Sequence, residues 1–303
     1  MPGRFLRLNL PAGAPLPQRS PLLERLLADA RPERTADWRA DAWAQLAPGS
    51  ALPPLAPARL AALGVRAEGF ALLASPVHYV AELSNVRLPA GGLLRLSEDE
   101  ARQLAADFSA VWRNAPVRLV ATGDVLCCLF DAPLQVVTHD PQRALGRHVD
   151  AFAPAGKDAA RLRALGSEVE MWLFEHALNR ARAERGEPAV NGLWLWGGGE
   201  TPISLPRPGG GTQGDDVLFE LFKVARADEA QLWVTDAVPG SEAWGVVETD
   251  WLAPAARAHR PGRTPGLTLS SGDRLWRVSA GRRLRFWRRT LPWWQSLDDA
   301  TDD

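Results

Sequence analysis

The stretch NGLWLWGGGE, residues 191–200, constrains the fold more than any other in the chain. Its apolar run reads as a short strand over 193–197, and strands of this kind are buried on both faces of their sheet. Gly197, Gly198 and Gly199 then read as the loop leaving that strand. Glycine lets a backbone approach closely, and the exposed N–H groups of such a loop can cradle an anion. Phosphate-binding loops usually run on into a helix, however, and here the chain continues as ETPISLPRPGGGTQGDD. Neither G-x-G-x-x-G nor G-K-[ST] is present. The stretch is first a fold signature, with a ligand site at its mouth as the sharper alternative.

The elements around it alternate. SPLLERLLADARPER reads as a helix with Ser20 as N-cap, TADWRADAWAQL as a second capped by Thr35, and APARLAALG as a third closed by Gly64. GFALLASPVHYVAEL reads as an edge or interrupted strand because of Pro76. Ser97 and Glu100 form a capping box for the helix SEDEARQLAADFSAVWRN. Strands joined at ATGD follow within 117–137. The longest helix is expected from Asp158 to Arg185, ended by Gly186 and Pro188. AQLWVTDAV reads as another buried strand, SEAWGVVETDWLAPAARAH as helical, and GLTLSSGDRLWRVSAG as a hairpin turning at SSGD. The fold class is α/β: a mixed central sheet with strands near 70–75, 117–137, 193–197 and 231–235, flanking helices and an N-terminal helical extension. The expected division is 1–66 for that extension, 67–200 for a middle α/β region, and 201–303 for a C-terminal α/β region packed with the middle one.

Composition excludes several classes. The chain has 303 residues, 46% hydrophobic and 23% charged, enough for a substantial core. It lacks an apolar run of about 18 residues and an evident signal peptide, so the expected location is cytoplasmic, with no membrane partner. A formal net charge of -1 makes nucleic acid an improbable partner. The C-terminal segment does carry seven Arg between 274 and 289, interleaved with Trp276 and Trp287. It reads as Arg stacked on Trp within the protein surface. Cys127 and Cys128 are adjacent, so on a strand they point to opposite faces and read as buried thiols. No metal or other cofactor is expected.

Within 95–199, a helix is followed by THDPQRALGRHVD and then by EHALNRARAERGEPAVNGLWLWGGG. This order resembles the substrate-domain insert of the archaeal-type, cofactor-independent phosphoglycerate mutases. The matching positions are His139 and Asp140, then His176, Asn179 and Arg182, then Gly186, Pro188, Asn191, Trp194, Leu195, Trp196 and Gly197. More loosely, nearly the whole chain resembles the bacterial regulatory proteins of the RpfE type. The mutases hold two metals and a Ser nucleophile in a phosphatase-like core with an early Asp-Gly-x-Gly-Asp motif. Here no acid precedes Glu24, and the late Asp and His motifs are missing. The resemblance therefore implies a retained binding shape without the catalytic engine.

Candidate ligand-binding residues are His139, Asp140, Arg147, His176, Asn179, Arg182, Asn191, Gly197, Gly198 and Gly199. On one continuous helix, Glu168, Glu175, Asn179 and Arg182 would share a line inside an apolar arc. Either Arg182 neutralises Glu168 or Glu175 in a structural network, or Arg182 and Asn179 face a cleft and read an anion. His139-Asp140 either does acid–base work or starts a turn. Three functions remain: a non-catalytic regulatory protein binding a small, phosphorylated anion; an active phosphomutase or phosphoesterase; and a module for a protein partner.

Overall fold

The computed structural model describes residues 4–10, 18–28, 30–226, 229–258, 266–278 and 290–298. In chain order the strands are β1 (Arg4–Arg7), β2 (Ala30–Arg34), β3 (Gly69–Val77), β4 (Val80–Ala81), β5 (Val86–Leu88), β6 (Val117–Thr122), β7 (Val125–Phe130), β8 (Arg147–His148), β9 (Gly192–Thr201), β10 (Gly211–Gly214), β11 (Ala230–Val234), β12 (Leu267–Ser271) and β13 (Arg274–Val278). The helices are α1 (Pro21–Ala28), α2 (Trp38–Leu46), α3 (Leu55–Ala62), α4 (Glu98–Val111), α5 (Ala159–Phe174), α6 (Ala177–Glu184), α7 (Trp244–Val246), α8 (Ala253–Ala258) and α9 (Gln295–Asp298). A π-helical stretch, Val247–Leu252, joins α7 to α8.

The chain is α/β and divides into two compact units, Met1–Leu52 with Pro206–Asp303, and Pro53–Leu205. The division thus runs elsewhere than at 66/67 and 200/201. In the first unit a six-stranded sheet has the order β10-β11-β1-β12-β13-β2. The four strands from β10 to β12 are parallel neighbours, while β13 and β2 are antiparallel. Residues 1–66 are therefore not a helical extension, since β1 and β2 belong to this sheet. Leu23, Leu26 and Leu27 of α1 pack with Trp244, Val247 and Leu252 against Leu6, Trp233, Leu269 and Trp276. Trp38 of α2 lies between Phe5 and Phe219, with ring centroids at 6.5 and 5.8 Å. Arg39 and Asp216 form a buried ion pair at 2.8 Å.

The second unit has its own four-stranded antiparallel sheet, β6-β7-β3-β9, and a small sheet β4-β5-β8. The single mixed sheet expected from sequence is thus two sheets: 231–235 lies in the first, whereas 70–75, 193–197 and most of 117–130 lie in the second. Leu104 and Phe108 of α4, with Leu162, Val169 and Leu173 of α5, bury one face against Leu72, Leu119, Cys128 and Leu195. Pro76 does not push β3 to an edge. β7 pairs with β3 only over Phe70–Leu73, so the missing Pro76 N–H falls beyond that ladder.

Local signals fared well. The Ser97–Glu100 capping box forms in both directions. Hairpins turn at Gly123-Asp124 and Gly272-Asp273, α3 is followed by Gly64 at φ +68°, and both cysteines are free and buried. Two caps differ. Asp37, not Thr35, caps α2 by accepting from the Arg39 N–H, and the Ser20 hydroxyl donates to Glu248 instead of capping α1. Trp276 is buried, with Arg277 paired to Glu33 at 2.9 Å. Trp287 and its neighbouring arginines lie outside the described residues. No helix among the described residues is long and apolar enough to cross a membrane.

Candidate functional site

The expected helix 158–185 is broken at Glu175-His176. His176 has extended backbone angles, φ -66° and ψ 135°, and its Nδ1 accepts from the Leu178 N–H at 3.2 Å, capping α6. The ring proton is therefore on Nε2, which lies 3.2 Å from Asp107. Burial lowers the His176 pKa, and Asp107 only partly opposes that. Asn179 closes the break. Its amide nitrogen donates to the carbonyls of Leu173 and Val190, and its oxygen accepts from the Val190 N–H, each at 2.8 Å.

Because the helix restarts, Arg182 no longer lines up with Glu175. Arg182 Nε donates to the Pro188 carbonyl at 2.9 Å, and Nη1 lies 3.1 Å from Glu100 and 3.3 Å from Glu187. Arg185 joins the same two carboxylates. Burial pushes the Glu100 carboxyl up, but the Ser97 amide, Arg182 and Arg185 outweigh it and hold it below the usual range. The capping-box glutamate is thus also the partner of the buried arginine. Sequence reading expected Glu168 or Glu175 in that place.

The glycines are not a loop leaving the strand, since β9 runs on to Thr201. The ladder slips between Ala71↔Gly199 and Leu73↔Trp196, so Gly197 and Gly198 together oppose one residue, Leu72. This is a β-bulge with Gly197 in the left-handed region at φ +63°. A Cβ on Gly198 would meet the Leu72 and Phe70 side chains at 2.5 and 2.8 Å, and one on Gly199 would meet Pro54 at 2.6 Å. These glycines admit close packing of β3 and the start of α3.

A different set of residues converges near the other end of β9. Asn191 locks Tyr79 by bonding both its N–H and its carbonyl, at 2.7 and 2.8 Å. The Tyr79 ring lies 6.5 Å from Trp194, Trp194 lies 6.5 Å from Phe152, and Phe152 meets His139 edge-on at 5.9 Å. Trp194 Nε1 donates to the His139 carbonyl at 2.6 Å. The Arg147 guanidinium stands 5.0 Å from the Phe152 ring centroid. Asp140 accepts from the Gln142 N–H and so shapes the turn carrying His139. Burial and then the Glu170 carboxylate push the Tyr79 hydroxyl pKa up, and burial raises Glu170 itself.

Of the ten candidates, His139, Asp140, Arg147 and Asn191 therefore share this aromatic-walled patch. His176, Asn179 and Arg182 build the helix break, and the three glycines build the bulge. Sequence reading missed Tyr79, Phe152 and Glu170. A lone tyrosine beside thirteen tryptophans was the available signal. Among the described residues no group of three or more His, Cys, Asp or Glu is placed to hold a metal ion.

No family model and no curated protein matches this chain. Among solved structures it is similar to the cofactor-independent phosphoglycerate mutase from Thermoplasma acidophilum DSM 1728, at 15% identity over 91% of this chain and 89% of that one, with a TM-score of 0.37. It is also similar to the PH0037 protein from Pyrococcus horikoshii, at 12% identity over 95% and 91% of the two chains, with a TM-score of 0.40.

Proposed function

We propose that the chain is a non-catalytic binding protein that receives a small anionic, phosphorylated ligand at the patch around Phe152 and Trp194. One observation carries this reading. The Tyr79 and His139 rings and the Arg147 guanidinium stand along one run of aromatic rings, Trp194 and Phe152, and the Tyr79 hydroxyl, the His139 ring nitrogens and the Arg147 guanidinium make no hydrogen bond or ion pair to a described residue. Unspent donors beside an apolar wall are what a small-molecule site requires. Arg147 supplies the planar fork that suits phosphate, the aromatic rings hold the ligand's apolar part, and Asn191 keeps Tyr79 in place. The Arg182 set serves a different purpose, because its charge is already matched by Glu100 and Glu187.

A thermal-shift screen with inorganic phosphate, pyrophosphate and a panel of phosphorylated sugars and acids tests this. A binder at about 100 times its Kd adds roughly 2.7 kcal/mol of stability. Arg147→Ala and Tyr79→Phe should weaken that gain, whereas a panel without any stabilising compound defeats the reading. Two tightly bound metal ions per chain together with phosphoester turnover would make the protein an enzyme instead.

A further inference from the structure

Beyond its acidic N-cap, Asp158, helix α5 carries its charges against its own dipole. Arg161 and Arg163 stand in its N-terminal half, whereas Glu168 and Glu170 stand in its C-terminal half with Glu175 as the C-cap. A helix favours acids at its start and bases at its end, so this order opposes the isolated helix. Nor do these charges find opposite partners nearby. Arg161 lies over the Phe130 ring, Arg163 donates to the Pro154 carbonyl and Glu168 accepts from Trp112. None of the five forms an ion pair with a described residue.

The outward face of the same helix is apolar where solvent should favour polar groups. Ala160, Ala164, Ser167, Met171 and Phe174 lie along it and are all exposed. Met171 is 69% and Phe174 84% exposed, among the most exposed large hydrophobic side chains in the chain. Ala160, Ser167 and Phe174 recur every seventh residue, the spacing of a helix–helix seam. Arg163 and Glu170 flank that seam on one side, and Ala164 and Met171 flank it on the other.

We propose that this face pairs with the same face of a second copy of the chain, antiparallel, with the two-fold axis at Ser167. In an antiparallel pair each flank meets its own counterpart. Arg163 of each copy then meets Glu170 of the other, and Met171 settles on Ala164. Phe174 settles on Ala160 and Ser167 faces itself. Large side chains meet small ones, and each charge out of place on its own helix finds its opposite. A parallel pair would set the Arg163–Glu170 flank against the Ala164–Met171 flank and leave both charges without an opposite, so charge selects the antiparallel one. The contact is isologous, as two-fold homodimers require. One helix pair is small against the roughly 1,200 Å² at which specific stable interfaces begin, so the dimer is reversible. Glu170 also lies beside Tyr79 of the proposed ligand patch, but the pairing itself requires no ligand.

The test is sedimentation of the full-length chain over a wide concentration series. The expected result is a reversible rise from monomer to dimer mass. Phe174→Glu should hold the chain monomeric without changing its melting temperature, since that side chain makes few contacts of its own. Arg163→Glu and Glu170→Arg should each shift the equilibrium to monomer, and the double variant should restore it. Ser167→Cys should form a disulfide-linked dimer under mild oxidation, while Ser109→Cys on the exposed side of α4 should not. A chain monomeric at every concentration overturns the proposal. So does a dimer indifferent to Phe174→Glu or a Ser167→Cys chain that fails to cross-link, because another face would then hold the copies together.

Discussion

His176 does separate work with each ring nitrogen. Nδ1 must be bare to accept the Leu178 N–H, and Nε2 points its proton toward Asp107. A second proton on the ring would turn the cap acceptor into a donor. The folded-state pKa is below the ordinary value, with burial as the main cause. Hence the stability that His176 contributes is complete above about pH 6.5, the unfolded value, and is lost as pH falls through the folded value. His176→Asn keeps a good cap without the titration. Urea melts from pH 8 to pH 5 should show a shallower acid-side loss than wild type, and an unchanged slope would remove the switch from this residue. Arg182 makes the second prediction at this scale. Its removal leaves Glu100 half-buried beside Arg185 alone, so Arg182→Ala should lower stability by about 3–5 kcal/mol. Arg182→Lys, which keeps the charge but not the fork, should fall between it and wild type. Arg182 stood out in the sequence as a polar group in an apolar arc, and His176 through the resemblance to the mutase insert. Their partners did not, because Glu100 is 82 positions from Arg182 and nothing local marks so distant a pairing.

At the scale of elements, the sequence was most legible where the signal is local. The capping box, both hairpin turns and the glycine after α3 each depend on a few adjacent residues. Reading failed where a distant strand or carbonyl decides. The 175–176 break is held by Asn179 reaching Leu173 and Val190, so an unbroken apolar periodicity concealed it. Likewise Gly197-Gly198-Gly199 looks the same in sequence whether it leaves a strand or bulges within one; only the β3 register distinguishes them. The bulge gives a direct test. Gly198→Ala sets a methyl against Leu72, Phe70 and the Ala71 carbonyl, and overpacking of this kind costs about 1–3 kcal/mol. Gly197→Ala adds left-handed backbone strain with looser neighbours, its closest contact being 3.1 Å, and should be milder. Denaturant melts of the two variants measure this. If either substitution stabilises the protein, the bulge assignment is wrong.

The whole chain is nested where its sequence suggested three regions in series. β1 pairs on one side with β11 and on the other with β12, both more than two hundred residues downstream, and no periodicity in 1–66 announces it. The two main core clusters share no residue. One draws on 6–30 and 224–297, the other only on 70–195. The second unit is therefore one continuous stretch with its own sheet, helices and core, bounded by Leu52-Pro53 and Leu205-Pro206. A chain of about 150 residues buries close to 70% of the surface it exposes when unfolded, enough to fold alone. Residues 53–205 made as a separate chain should then show a single cooperative melt and protected β3 and β7 amides in hydrogen exchange. Every residue of the proposed ligand patch, from Tyr79 to Trp194, is inside this fragment, so any phosphorylated compound that stabilises the full chain should stabilise the fragment to a similar extent. A fragment that melts without a transition would show that its core does not suffice. One that folds but ignores such a compound would move the ligand site away from the Phe152–Trp194 wall.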